Sequence, residues 1–218
     1  FGIKLVFIFA EWGEIETVDH IRKMKYVQRV GKNLENIGKP KITSYNGKPY
    51  TKVTWKPDYS LFGLTEMNDD MYNIFKKRTF DVAAVTDKSV KVKFNNEIVN
   101  IKSFEQYVNM YIGDKDTSPR VSESSERWEC IVSMSPLDEF THVSFVNGIH
   151  TGKGGKHVEY ITNQICKKMV EYIKKKKKII VKPVTIKEQL MIFVNCMIEN
   201  PAFDSQTKDY MNTPVSKF

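Results

Sequence analysis

The sequence predicts an α+β fold, and three stretches carry that prediction. Tyr50–Lys56 alternates with period two, Thr51, Val53 and Trp55 sharing one face, as a half-buried strand does. Val158, Ile161, Ile165, Met169, Tyr172 and Ile173 recur at helical spacing with Lys167 and Lys168 opposite, which defines one strong amphipathic helix. Met191–Ile198 is a nearly continuous apolar run with the length of one buried strand.

The remaining elements follow in order. Phe1-Gly2-Ile3-Lys4-Leu5 sets a lysine beside a glycine, a pairing suited to close approach of a phosphate and equally to a plain turn. Val6–Trp12 fits a buried helix or strand, and Ile15–Val18 and Tyr26–Val30 read as short strands either side of the polar His20–Lys25. Gly38, Pro40 and Asn46-Gly47 predict loops and a hairpin over 33–50, and Pro57-Asp58 ends the strand that follows. Asn68–Ala84 is helical, with Met71, Ile74, Phe75 and Val82 near one face. Val90, Val92 and Phe94 alternate, Asn95-Asn96 turns, and Ile98–Ile101 returns. Ser103 and Gln106 form a capping box at the head of a short helix to Ile112.

Gly113–Glu126 is polar, contains Pro119 and has no periodicity, so the domain boundary is placed there, dividing residues 1–115 from 116–218. Trp128, Cys130, Val132 and Met134 then alternate, Val143–Val146 is a second strand, and Asn147-Gly148 turns the chain. Thr151–Lys156 (T-G-K-G-G-K) lacks the phosphate-loop spacing of glycine and the Ser or Thr after Gly-Lys, and predicts a flexible turn into the long helix. Beyond that helix, Ile179–Val184 is extended and Thr185–Gln189 a capped turn. Asn200-Pro201 stops the last strand, because proline has no N–H for a ladder. It leaves a polar tip, Asp204–Lys208, on a rigid element, which reads first as a solvated loop carrying one charge and otherwise as a lysine held as a point charge suited to a terminal phosphate.

The chain has 218 residues and a net charge of +8. Between His150 and Leu190 stand eleven lysines, three glutamates and no arginine, so this stretch alone accounts for the net charge. A field so localised fits a polyanion partner. Within it, Lys174–Lys178 repel one another and weaken the helix end, which fits either a solvated charge run or import signal, or a sequence-blind contact with a phosphate backbone. Cys130, Cys166 and Cys196 are widely spaced within apolar patterns and read as reduced core residues. The run Leu5–Ala10 is too short to span a bilayer, so no membrane partner is expected. Phe1 at the start of an already apolar segment suggests a piece of a longer chain.

Several stretches, in order, resemble the ATPase region of eukaryotic-type (type IIA) DNA topoisomerase II. Phe1–Leu5 is similar to the end of that family's G-R-N-G-Y-G-A-K-L nucleotide loop. Pro40–Thr43 and Tyr50–Thr54 match strands of its ATP-binding domain. Val143–Gly148 with Gly154–Val158 resembles S-F-V-N-S-I-A-T-x-x-G-G-x-H-V, departing at Gly148 and at His150–Gly152. Ile192–Asn195 and Ile198–Lys208 match I-F-V-N-x-L-I-E-N-P-x-F-D-S-Q-T-K almost letter for letter.

The resemblance implies the second half of a GHKL-type α/β sandwich up to about residue 115, followed by most of a βαβ transducer domain. It implies ATP as cofactor, with Lys208 as the catalytic contact to the γ-phosphate. Gln206 and Thr207 stand beside it, and Phe1, Gly2, Ile3 and Lys4 line the phosphate loop. Lys174, Lys175 and Lys176 take the place of its DNA-contacting lysines. The magnesium ligands, the catalytic glutamate and the cleavage tyrosine are expected outside this chain, and no metal ligand within it. Double-stranded DNA and a second copy are the implied partners, in the nucleus if the source is cellular and in a virion or host cell if viral. The alternative is a non-catalytic basic nucleic-acid-binding module; a third reading is a different ATPase of the same superfamily.

Overall fold

Gly13 sits where Ala10–Asp19 passes over Phe7, and a Cβ there would overlap the Phe7 ring. In the computed structural model, which describes residues 1–218, this close approach seats helix α1 (Gly2–Ile8) on strand β1 (Ala10–Asp19). The open question over Val6–Trp12 thus resolves into a helix through Ile8 and a strand from Ala10. The β1 chain turns at Asp19, whose carboxylate accepts from the Ile21 and Arg22 N–H groups and from the Arg22 guanidinium. Arg22, by its backbone and then its side chain, holds that carboxyl below the usual range. Strand β2 (Met24–Gly31) follows, then β3 (Asn36–Ile37), β4 (Lys41–Ser44) and β5 (Thr51–Pro57). They form one antiparallel sheet, ordered β3-β2-β1-β5, with β4 also pairing β2. Both central strands outrun their apolar cores, because backbone pairing extends the ladder past the last apolar residue. The face of β5 that carries Val53 and Trp55 is partly covered, as expected, the two being 37% and 39% exposed.

Helix α2 (Asp69–Val85) starts at Asn68, whose Oδ1 accepts from the Met71 N–H at 2.9 Å. It does not bury the predicted apolar face. Ile74, Phe75 and Val82 are exposed, whereas Asp81, Ala83 and Ala84 are buried. The Asp81 carboxylate accepts from Lys77 at 2.8 Å, Arg78 at 3.2 Å and the Tyr107 hydroxyl at 2.6 Å, which makes its burial tolerable.

Next come the hairpin strands β6 (Lys93–Phe94) and β7 (Glu97–Ile98), with Asn95 and Asn96 both left-handed between them. Helix α3 (Phe104–Ile112) opens on the predicted box: Ser103 Oγ accepts from Gln106 N–H at 3.2 Å. The Gln106 side chain accepts in return from the Lys102 N–H at 2.7 Å, one residue before the cap.

Strands β8 (Arg120–Ser124), β9 (Trp128–Met134), β10 (Thr141–Val146) and β11 (Ile149–His150) lead to β12 (Gly154–Gly155) and helix α4 (Lys156–Lys177). Helix α5 (Pro183–Glu188), strand β13 (Leu190–Cys196) and strand β14 (Tyr210–Met211) complete the regular elements. The main sheet is ordered β11-β10-β13-β9-β8. Only β10 and β13 run parallel in it, joined by the crossover that contains α4.

Strand β13 explains its own unbroken apolar run. Met191 and Phe193 point to a core with Phe104, Tyr107, Val108 and Phe145, while Ile192, Val194 and Cys196 point to another with Cys166, Ile186 and Met211. A strand covered on both faces has no polar side to alternate with. The cysteines are free, and burial pushes the thiols up, to about 11 at Cys130 and about 12 at Cys196.

Contacts divide the chain into two compact units, Phe1–Tyr72 and Asn73–Phe218. The polar stretch 113–126 falls inside the second. Buried Arg120 ties it down, donating to Asn109 Oδ1 at 2.8 Å and to the Gly113 and Ser118 carbonyls.

Candidate functional site

The polar tip is held on both flanks. Where β13 ends, Asn147 receives the Ile198 N–H at 2.8 Å and donates to the Ile198 carbonyl at 2.9 Å. Asn200 is left-handed, and the chain then doubles back as a narrow ribbon. Phe203 bridges Met211, Asp204 N–H donates to the Tyr210 carbonyl at 3.2 Å, and Asn212 N–H donates to the Ala202 carbonyl at 3.0 Å. Within the tip, Lys208 N–H donates to the Ser205 carbonyl at 3.2 Å, and the Ser205 and Thr207 hydroxyls meet at 2.8 Å.

Gln206, Thr207 and Lys208 are exposed, and Lys208 has φ +59°. Its ammonium is in no ion pair and lies 5.9 Å from the centre of the Phe203 ring. An exposed cation on a backbone held at both flanks is a donor that fits a terminal phosphate.

The far flank carries the glycine-rich stretch. Gly154 and Gly155 are buried and pair in parallel with Tyr210 and Met211. Their neighbours' N–H groups are already used: Thr151 donates to Ser144, Lys153 to Asp209 and Gly154 to Thr151, at 2.8, 2.9 and 2.9 Å. The segment is thus a strand-paired bridge and not the flexible turn expected. Tyr210 donates its hydroxyl to Glu159 at 2.9 Å, and the other Glu159 oxygen accepts from Lys156 at 2.8 Å. Lys156, then Tyr210, hold the Glu159 carboxyl below its usual range.

Beneath this bridge lies a polar cluster that sequence reasoning missed. The Ser144 and Thr151 hydroxyls are 2.6 Å apart, and Thr151 Oγ1 is 3.2 Å from His157 Nε2. The His157 side chain is fully enclosed, its Nδ1 without a partner. Burial depresses its pKa from 6.5 to about 4, so the ring is neutral at pH 7. The folded state then binds this proton less readily than the unfolded chain does. Its contribution is complete above pH 6.5 and is lost as the pH falls towards 4, by roughly 3 kcal/mol. Urea unfolding at pH 7 and pH 4.5 checks this: acidification costs the parent more than it costs His157→Asn. An equal loss in both excludes it.

Lys174, Lys175 and Lys176 occupy the last turn of α4, exposed and outside every salt bridge. The helix runs on through these lysines to Lys177, and left-handed Lys178 caps it with an N–H to the Lys174 carbonyl at 3.2 Å. The negative end of the helix dipole offsets part of the repulsion. Lys208 and these lysines are thus served by opposite ends of one 22-residue helix, about 33 Å long.

Phe1, Gly2, Ile3 and Lys4 belong to the other compact unit. Phe1 precedes α1 and accepts at its carbonyl from the Lys4 and Leu5 N–H groups, and all four residues are exposed. A surface hollow of about 1050 Å³ beside α3 and the end of β13 contains none of the predicted residues. Its rim balances Lys88, Lys102 and Arg127 against Asp87, Glu126 and Glu129. No three His, Cys, Asp or Glu side chains are placed to share a metal ion, and no helix is long and apolar enough to cross a membrane.

A basic βαβ sheet unit with a lysine-tipped loop defines the class. Residues 103–218 match the family described as DNA gyrase B, and the chain belongs to that family. Over 223 residues it is 41% identical to a Dictyostelium discoideum protein described as probable DNA topoisomerase 2, covering 100% of this chain and 15% of that one. The ATPase region of Saccharomyces cerevisiae topoisomerase II superposes with a TM-score of 0.92 at 40% identity, over 100% of this chain and 56% of that one. The ATPase and transducer domains of DNA topoisomerase II from Balamuthia mandrillaris give 0.92 at 35%, with the same coverage. The fold is α+β, as these structures are.

Proposed function

We propose that this chain is part of an ATP-dependent type IIA DNA topoisomerase, the part that joins nucleotide binding to closure of a protein gate. In the whole enzyme one duplex then passes through a transient double-strand break in another. The observation that carries this is Lys208, exposed and unpaired on a loop whose two flanks are fixed by main-chain bonds. The strength of the resemblance to named topoisomerases supports it.

In this reading Lys208 binds the γ-phosphate, with Gln206 and Thr207 as neutral donors beside it, and Phe1–Lys4 stand near the phosphates. ATP supplies a terminal phosphoryl group that ADP lacks, and magnesium is held by residues outside this chain. A cation that meets only that group gives ATP and ADP different affinities, which is what a ligand needs to shift a two-state orientation. Lys174–Lys176 neutralise duplex phosphates without reading bases. The working form is a homodimer, nuclear in a cell or carried by a virus. Residues 1–115 are assigned to the nucleotide and 116–218 to the transducing sheet; α3 goes with the first by chain position and with the second by packing.

Lys208→Ala in the full-length protein tests the reading. ADP affinity is expected to hold. The preference for a non-hydrolysable ATP analogue over ADP falls about tenfold or more, as loss of a charged hydrogen bond implies. ATP-dependent dimer closure is lost with it. Closure at parental ATP concentrations overturns the proposal.

A further inference from the structure

Gly154 and Gly155, in a stretch that lacks the phosphate-loop spacing, are both left-handed or beyond, at φ +76° and +144°. A Cβ on Gly155 would fall 2.7 Å from the Met211 nitrogen and closer still to its oxygen. Only glycine allows that approach. What it permits is the parallel pairing of Gly154 and Gly155 with Tyr210 and Met211.

The ribbon 202–212 is two-stranded, and such a ribbon is marginal in water without a third strand. β12 is that strand. It joins the ribbon to the first turn of α4, where the Tyr210 hydroxyl meets Glu159 at 2.9 Å. Lys208 stands two residues before Tyr210, left-handed at φ +59°, with its N–H on the Ser205 carbonyl.

The geometry points to β12 and the Tyr210–Glu159 pair as a positioning clamp for Lys208, setting where its ammonium is presented rather than touching the nucleotide. This rests on the reading of Lys208 given above. Tyr210 and Glu159 are positioning residues, and neither is catalytic.

The test compares affinity for a non-hydrolysable ATP analogue with affinity for ADP in the full-length protein. Tyr210→Phe removes only the hydroxyl, and the analogue-to-ADP ratio is expected to fall about threefold, the effect of one partly exposed hydrogen bond, with an unchanged melting temperature. Glu159→Gln keeps an acceptor and retains the ratio. Added to Lys208→Ala, Tyr210→Phe has no further effect. A ratio that responds to Lys208→Ala but not to Tyr210→Phe overturns the clamp alone. So does an equal loss from Tyr210→Phe in both backgrounds, while a ratio indifferent to Lys208→Ala overturns the phosphate contact and the clamp together.

Discussion

Gly155→Ala is expected to destabilise the second compact unit by about 3 kcal/mol or more. Two costs combine. Gly155 has φ +144° and ψ −170°, a region that an alanine enters only with strain of about 1–3 kcal/mol. The new methyl also overlaps the backbone of Met211, which is itself fully buried and cannot step aside as a side-chain tip would. At the neighbouring Gly154 the left-handed φ of +76° carries the cost, since its Cβ would meet the His142 ring at 3.0 Å and a ring can turn. Urea unfolding reads the loss, and amide exchange at Tyr210 and Met211 shows where it falls. Parental stability with slow exchange at both amides contradicts the close approach.

Phe193→Ala is expected to cost about 3–5 kcal/mol, the range for emptying an aromatic site in a packed core. Phe193 is fully buried in the middle of β13, with the Tyr111 ring 5.6 Å away and Phe104, Tyr107 and Phe145 in the same cluster. Helix α3 reaches the sheet through this cluster, so the cavity weakens both. Val121→Ala on β8, at a side chain 72% exposed, serves as the control and stays within about 0.5 kcal/mol of the parent. A shift below about 1 kcal/mol for Phe193→Ala shows that the site collapses around the gap.

What was legible in the sequence is what local pattern encodes. The α4 helix, the unbroken β13 run and the Ser103 box each depend on residues a few places apart, and each is found where expected, although the α4 stripe is covered only in part, with Met169 and Tyr172 exposed. The tip Asp204–Lys208 was legible as a loop too, although the ladder ends at Cys196, before Pro201 is reached. What stayed hidden depends on distant partners. Nothing near Gly155 announces Met211, so the glycines read as a loose turn. Nothing near Asp81 announces Tyr107, so the helical spacing of Met71, Ile74, Phe75 and Val82 gave the helix but not the side that Asp81 buries. His157 appears between a lysine and a valine as an ordinary polar residue, and only the folded crossover encloses it.

Between Lys156 and Lys177 there is no proline or glycine at which α4 could bend. A rod of that kind transmits rotation without absorbing it. Pivoting it about its midpoint by roughly 10° would carry either tip about 3 Å, in opposite directions. Were a partner at the lysine-bearing tip to tilt the helix so, the seat from which residue 208 is offered would shift by an amount comparable to the length of a hydrogen bond.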